Sequence, residues 1–162
     1  MGLDNGIILK LKSEKARKFY KNFCEETGLR WLGEKYLNEY EIENEIEIEV
    51  CYWRKFWGLR NEYLYMNLLK DEDHYYYNSI EQIKAVYSAL KKYTDKNYWY
   101  DNENNYIWDY YEYLPIIYEN LRNLKMVENL VREFLRNGFK LRSGEDDNNE
   151  DIDIEVYMYD SY

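Results

Sequence analysis

Proline and histidine each occur once in the 162 residues, cysteine twice and glycine seven times. Each shortage narrows the chemistry. With His74 the sole histidine, a Ser-His-Asp or Cys-His apparatus would have to be built on it, and it stands in a polar loop, Asp71-Glu72-Asp73-His74-Tyr75. Cys24 and Cys51 lie far apart and form no CxxC. That argues against a zinc site and reads as two buried, unbridged thiols. There is neither a P-loop nor a GxGxxG, so no glycine-rich cradle for phosphates is expected. No run approaches the roughly 18 apolar residues of a membrane span. No basic-then-apolar leader is visible at the start, and Met1-Gly2 lacks the Ser or Thr that myristoylation needs, Gly6 standing there instead. A reduced, cytoplasmic chain is the expectation.

Basic residues are also scarce: 22 Lys and Arg stand against 32 Asp and Glu, for a net charge of −10. An acidic chain is repelled by nucleic acid. It is nonetheless no acidic tail, because 46% of it is hydrophobic and 21 residues are tyrosine, enough to build a core. A chain of this length buries roughly 70% of its unfolded surface, so one domain spanning 1–162 is expected, without a disulfide or a metal.

The periodicities give the elements. Asp4-Asn5-Gly6 reads as a turn, followed by a strand, Ile7 to Lys12. Ser13 caps a helix over about 14–27, whose packing positions are Ala16, Phe19, Tyr20, Phe23, Cys24 and Thr27, with Gly28 beyond its end. A connector at 29–40 contains Gly33. Residues 45–52 alternate strictly, which puts Ile46, Ile48 and Val50 on one strand face and Glu45, Glu47 and Glu49 on the other. A short helix from Asn61 to Leu69 is expected, packing through Leu64, Tyr65 and Leu68. Ser79 and Gln82 form a capping box for a helix carrying Ile80, Ile83, Val86, Tyr87 and Leu90. Residues 94–105 read as a loop. A helical segment starts near Tyr106 and is kinked or restarted by Pro115. The long helix after it buries Ile117, Leu121, Leu124, Val131, Phe134 and Leu135, and ends at Gly138. Phe139–Arg142 is a short strand candidate, 143–150 an acidic flexible loop, and Ile152, Ile154, Val156 and Met158 mark a closing strand. The order predicts an α+β fold: one small mixed or antiparallel sheet of about four strands against four to five helices.

The negative charge is not spread evenly. Residues 38–50 hold six acidic and no basic groups, and 143–162 hold eight acidic and no basic groups; the rest of the chain is net positive. Both segments contain an alternating strand, in which every second side chain shares a face at about 6.6 Å spacing. If both strands join one sheet, Glu45, Glu47 and Glu49 form one solvent-facing row and Asp151, Asp153 and Glu155 another. With no lysine between them, such rows oppose like charges at a cost of roughly 0.2–1 kcal/mol per pair, more than solubility alone requires. The alternative to a functional role is that charged strand faces simply block edge-to-edge aggregation.

The other non-random feature is Cys51-Tyr52-Trp53-Arg54-Lys55-Phe56-Trp57-Gly58-Leu59-Arg60-Asn61, three cations among four large aromatics. Arg54, Lys55 and Arg60 suit a phosphate, with Trp53 or Trp57 stacking on a base or sugar and Asp4 and Asn5 nearby. The same cations could instead pair internally, the tryptophans lying in the core. Together with Met-Gly-Leu-Asp-Asn-Gly-Ile at residues 1–7, this segment resembles a group of small, uncharacterised phage and prophage proteins. The resemblance covers about a tenth of the chain and transfers no catalytic residue. It implies a phage-like setting, in which small acidic proteins include inhibitors of host defence nucleases, anti-CRISPR proteins among them.

Asp146-Asp147-Asn148-Asn149-Glu150-Asp151 lacks the glycine and the twelfth-position Glu of an EF-hand loop, so no metal and no cofactor is expected. The expectation is a non-enzymatic, acidic interaction protein of the host cytoplasm that mimics nucleic acid and occupies the basic surface of a nucleic-acid-binding host effector. It would use Glu45, Glu47, Glu49, Asp151, Asp153 and Glu155 as phosphate surrogates and exposed Tyr157 and Tyr159 as anchors. The alternative is a nucleotide or small-molecule-binding module built on Asp4, Asn5, Trp53, Arg54, Lys55, Trp57 and Arg60. A homodimer is left open.

Overall fold

A computed structural model describes residues 4–27, 45–54, 56, 58–61, 75–77, 79–100, 107–142 and 150–161. The elements are β1 (Asp4–Leu11), α1 (Glu14–Thr27), β2 (Ile46–Arg54), β3 (Tyr75–Tyr77), α2 (Ile80–Lys92), α3 (Lys96–Tyr100), α4 (Ile107–Arg136) and β4 (Ile154–Ser161). The fold is α+β, as the element order implied. The sheet runs β2-β1-β4-β3 and every pairing is antiparallel. Three strands are long; β3, of three residues, is a short edge. The helix-ending Gly28, the expected connector 29–40 with Gly33, the helix residues 62–69, His74 and the loop residues 101–105 and 143–149 lie outside the described residues.

One cluster of buried apolar side chains fills the space between sheet and helices. Ile7, Leu9 and Leu11 of β1, Ile46, Ile48 and Val50 of β2, and Ile154, Val156 and Met158 of β4 form its sheet side. Strict alternation from Ile46 would turn Tyr52 inward. Instead the register slips between Ile7 and Ile8, which face Cys51 and Glu49, so Val50 is an extra residue in a β-bulge. A bulge resets the phase of the strand. Val50 and Cys51 are both buried, Tyr52 points out, and Trp53 returns to the core.

The helices form where their caps and stripes say they should. Ser13 Oγ accepts from the Ala16 amide at 3.1 Å, and Ala16, Tyr20 and Cys24 bury one face of α1. Ser79 Oγ accepts from the Gln82 amide while Gln82 Oε1 accepts from the Ser79 amide, the reciprocal pair of a capping box. The end of α4 is a Schellman motif. The Phe139 amide donates to Phe134 O and the Gly138 amide to Leu135 O, Gly138 takes φ 81°, and the Phe134 and Phe139 rings meet edge-on at 5.1 Å.

Five expectations are corrected. Asp4-Asn5-Gly6 is not a turn but the start of β1, because both neighbouring strands extend that far and pair with it. Lys96–Tyr100 is a short helix rather than loop, anchored by Trp99, which is fully buried and donates from Nε1 to Tyr93 O at 2.8 Å. Pro115 lies within a continuous α4 rather than restarting it. The proline removes one donor, to the carbonyl of Tyr111, and both residues are exposed, where water can serve that carbonyl. Leu135 is 40% exposed, and Val127 and Leu130 take the buried positions. Phe139–Arg142 contributes only an isolated parallel bridge, Leu141 to Ile154.

Candidate functional site

The outer face of the sheet carries the acidic row. Glu45, Glu47 and Glu49 are exposed while Ile46, Ile48 and Val50 are buried, so the alternation places them as expected. The face is not bare of lysine, however. Lys10 of β1 stands directly opposite Glu47. Its Nζ lies 3.4 Å from Glu45 Oε2 and 3.8 Å from Glu47 Oε1.

The second row does not form. Asp151 is exposed, but Asp153 and Glu155 are buried. The reason is local: the end of β1 lies on one side of Asp153 and Glu155 and the segment 140–142 on the other, so both carboxylates are used by the fold. Glu155 lies 3.2 Å from Lys12 Nζ and 3.1 Å from Arg142 Nη1. Asp153 Oδ2 accepts from the Lys140 amide at 2.7 Å. Its carbonyl accepts from the Lys12 and Ser13 amides. Asp153 thus ties the segment after α4 to the start of α1, and neither acid is a surface charge.

The two tyrosines of β4 are not free anchors either. Tyr157 is buried and Tyr159 half-buried, since each ring lies down over β1 toward β2. The Tyr157 hydroxyl donates to Glu47 Oε1 at 3.0 Å and the Tyr159 hydroxyl to Glu49 Oε2 at 3.1 Å. Strands two apart in a sheet are separated by about 9.6 Å, a gap that Tyr and Glu bridge only by leaning together. Gly6, opposite Tyr159, makes the lean possible. A Cβ there would stand 2.4 Å from Tyr159 Cε1 and 2.6 Å from Cys51 O. A third phenol, Tyr52, donates to Asp4 Oδ1 at 2.8 Å, with Arg54 Nε at 4.0 Å from the same oxygen.

These contacts set the phenols' acidity. Burial first, then the charge of Glu49 and its hydrogen bond, push Tyr159 well above the usual tyrosine range. The hydrogen bond to Asp4 raises Tyr52. Both stay neutral donors through the ordinary pH range.

The aromatic–basic segment is divided. Asn5, Trp53, Phe56 and Arg60 are buried, and Phe56 packs against Tyr93, Trp99 and Tyr113. Trp53, Arg60 and Asn5 therefore belong to the core, because the bulge turns Trp53 inward. Arg54 and Asp4 remain accessible and face each other; Lys55 and Trp57 lie outside the described residues. A surface depression of about 440 Å³ lies at the other end of the sheet, lined by residues including Ser13, Lys15, Lys140 and Asp153. Cys24 and Cys51 are buried and unbridged, and burial pushes both thiols above the usual range.

Reading the sequence alone missed the edge of β2. Tyr113, Asn120 and Asn123 of α4 donate to the carbonyls of Arg54 (2.6 Å), Tyr52 (3.4 Å) and Val50 (3.0 Å). Edge carbonyls invite another strand; here a helix satisfies them. The signal was present: Asn120 and Asn123 interrupt the apolar stripe Ile117–Leu121–Leu124 and are buried.

Among the described residues no group of three or more His, Cys, Asp or Glu is placed to hold a metal ion, and no helix is long and apolar enough to cross a membrane. Comparison of the chain with known protein families, curated proteins and solved structures finds no match.

Proposed function

We propose that this chain is an acidic interaction protein whose outer sheet face occupies a basic, nucleic-acid-binding surface on another protein. The observation that carries the reading is the exposed row Glu45, Glu47, Glu49, two of whose carboxylates are held in place by phenols from β4. Carboxylates repeating at about 6.6 Å along a strand present a one-signed array. Being fixed, it loses little side-chain freedom on binding. Like charges on the two partners' alternatives are repelled, which gives specificity and a fast encounter at low salt. The resemblance to phage and prophage proteins supplies the setting: inhibition of a host effector such as a defence nuclease, in the manner of an anti-CRISPR protein. The binding face is smaller than the sequence suggested, because Asp153, Glu155 and Tyr157 serve the fold. The nucleotide-binding alternative loses its centre, since Trp53, Arg60 and Asn5 are buried.

The test is capture of host proteins on the chain at low and high salt, followed by displacement of a labelled DNA duplex from the captured protein. The wild-type chain displaces the duplex, with an affinity that falls as salt rises. The E45K/E47K/E49K variant fails to displace it. Displacement by that variant with unchanged affinity and unchanged salt slope sinks the reading.

A further inference from the structure

We draw no further inference here: the strongest candidate, the surface depression at the start of α1 lined in part by Ser13, Lys15, Lys140 and Asp153, is a helix N-terminus with no second feature among the described residues that points to a ligand, because its buried carboxylate, Asp153, already accepts from the Lys140 amide and Ser13 Oγ from the Ala16 amide.

Discussion

Gly6→Ala is the sharpest probe of how the acidic face is built. The glycine sits in the middle of three strands, opposite Tyr52 on β2 and Tyr159 on β4. An added methyl group would lie 2.4 Å and 2.7 Å from two atoms of the Tyr159 ring and 2.6 Å from the Cys51 carbonyl oxygen. The ring can move only by leaving Glu49, and the carbonyl belongs to the bulge that sets the phase of β2. Overpacking of this kind costs about 1–3 kcal/mol. Loss of the Tyr159–Glu49 bond adds about 1 kcal/mol, and the less flexible unfolded chain of an alanine returns about 0.4–1 kcal/mol. The net expectation is a loss of about 2 kcal/mol, or about 4–8 °C in melting temperature for a chain of this size. Urea denaturation followed by circular dichroism and by tryptophan fluorescence measures it. The same substitution in a Tyr159→Ala background separates the two obstacles. With the ring gone only the carbonyl opposes the methyl group, so the cost falls by more than about 0.5 kcal/mol, beyond ordinary additivity error. A Gly6→Ala protein within about 0.5 kcal/mol of wild type refutes the reasoning. A cost that is equal in both backgrounds refutes the claim that the tyrosine ring needs the glycine.

Gly138→Ala makes the complementary case. Its φ is +81° and nothing lies within 4 Å of an added Cβ, so denaturation shows only the backbone penalty, about 1 kcal/mol, and Gly138→Asn recovers part of it. Glu155→Ala removes the shared partner of Lys12 and Arg142. Those cations are partly exposed and rehydrate, so the loss, read by urea denaturation, is about 2 kcal/mol rather than the roughly 3–5 of a fully buried broken pair. Burial raises Tyr20 and, with Glu49, Tyr159 in the folded state. The unfolded chain then holds fewer protons than the folded one above about pH 10, so stability is full below that pH and falls as pH rises past it; chemical denaturation at pH 9 and 11 checks the sign, which Tyr159→Phe diminishes.

Local patterning was legible wherever a residue acts within its own element. Ser79 and Gln82 needed only each other, Gly138 only the end of its helix, and Glu45, Glu47 and Glu49 only the period of a strand. What failed depended on neighbours that periodicity does not name. Residues 45–50 and 152–158 alternate in the same way, yet one strand lies at the edge and the other inside the sheet. Asn-Gly at residues 5–6 favours a turn when isolated, but the Tyr159 ring supplies another reason for the glycine. The bulge at Val50 leaves no mark in Glu-Ile-Glu-Ile-Glu-Val-Cys-Tyr, because Val, Cys and Tyr can all sit on either face. It nevertheless moved Trp53, the centre of the expected ligand site, into the core.

Edge and interior placement also explain why the two acidic segments do different work. A carboxylate flanked on both sides, as Asp153 and Glu155 are by the end of β1 and the segment 140–142, must find partners from the protein or go unsatisfied. Asp153 and Glu155 find a backbone amide and two cations. A carboxylate on the edge strand β2 keeps one side open to water and needs only partial support, which the phenols of β4 give without neutralising its charge. Cations there would have cancelled the field. Lys10 reaches Glu45 and Glu47, while Glu49, at the far end of the row, is held by the neutral phenol of Tyr159. The hydrogen bonds from Tyr157 and Tyr159 satisfy phenols that the fold buries or half-buries and add to stability. On the proposed function, a partner surface would meet this exposed row on β2 rather than the chain's net charge of −10 as a whole.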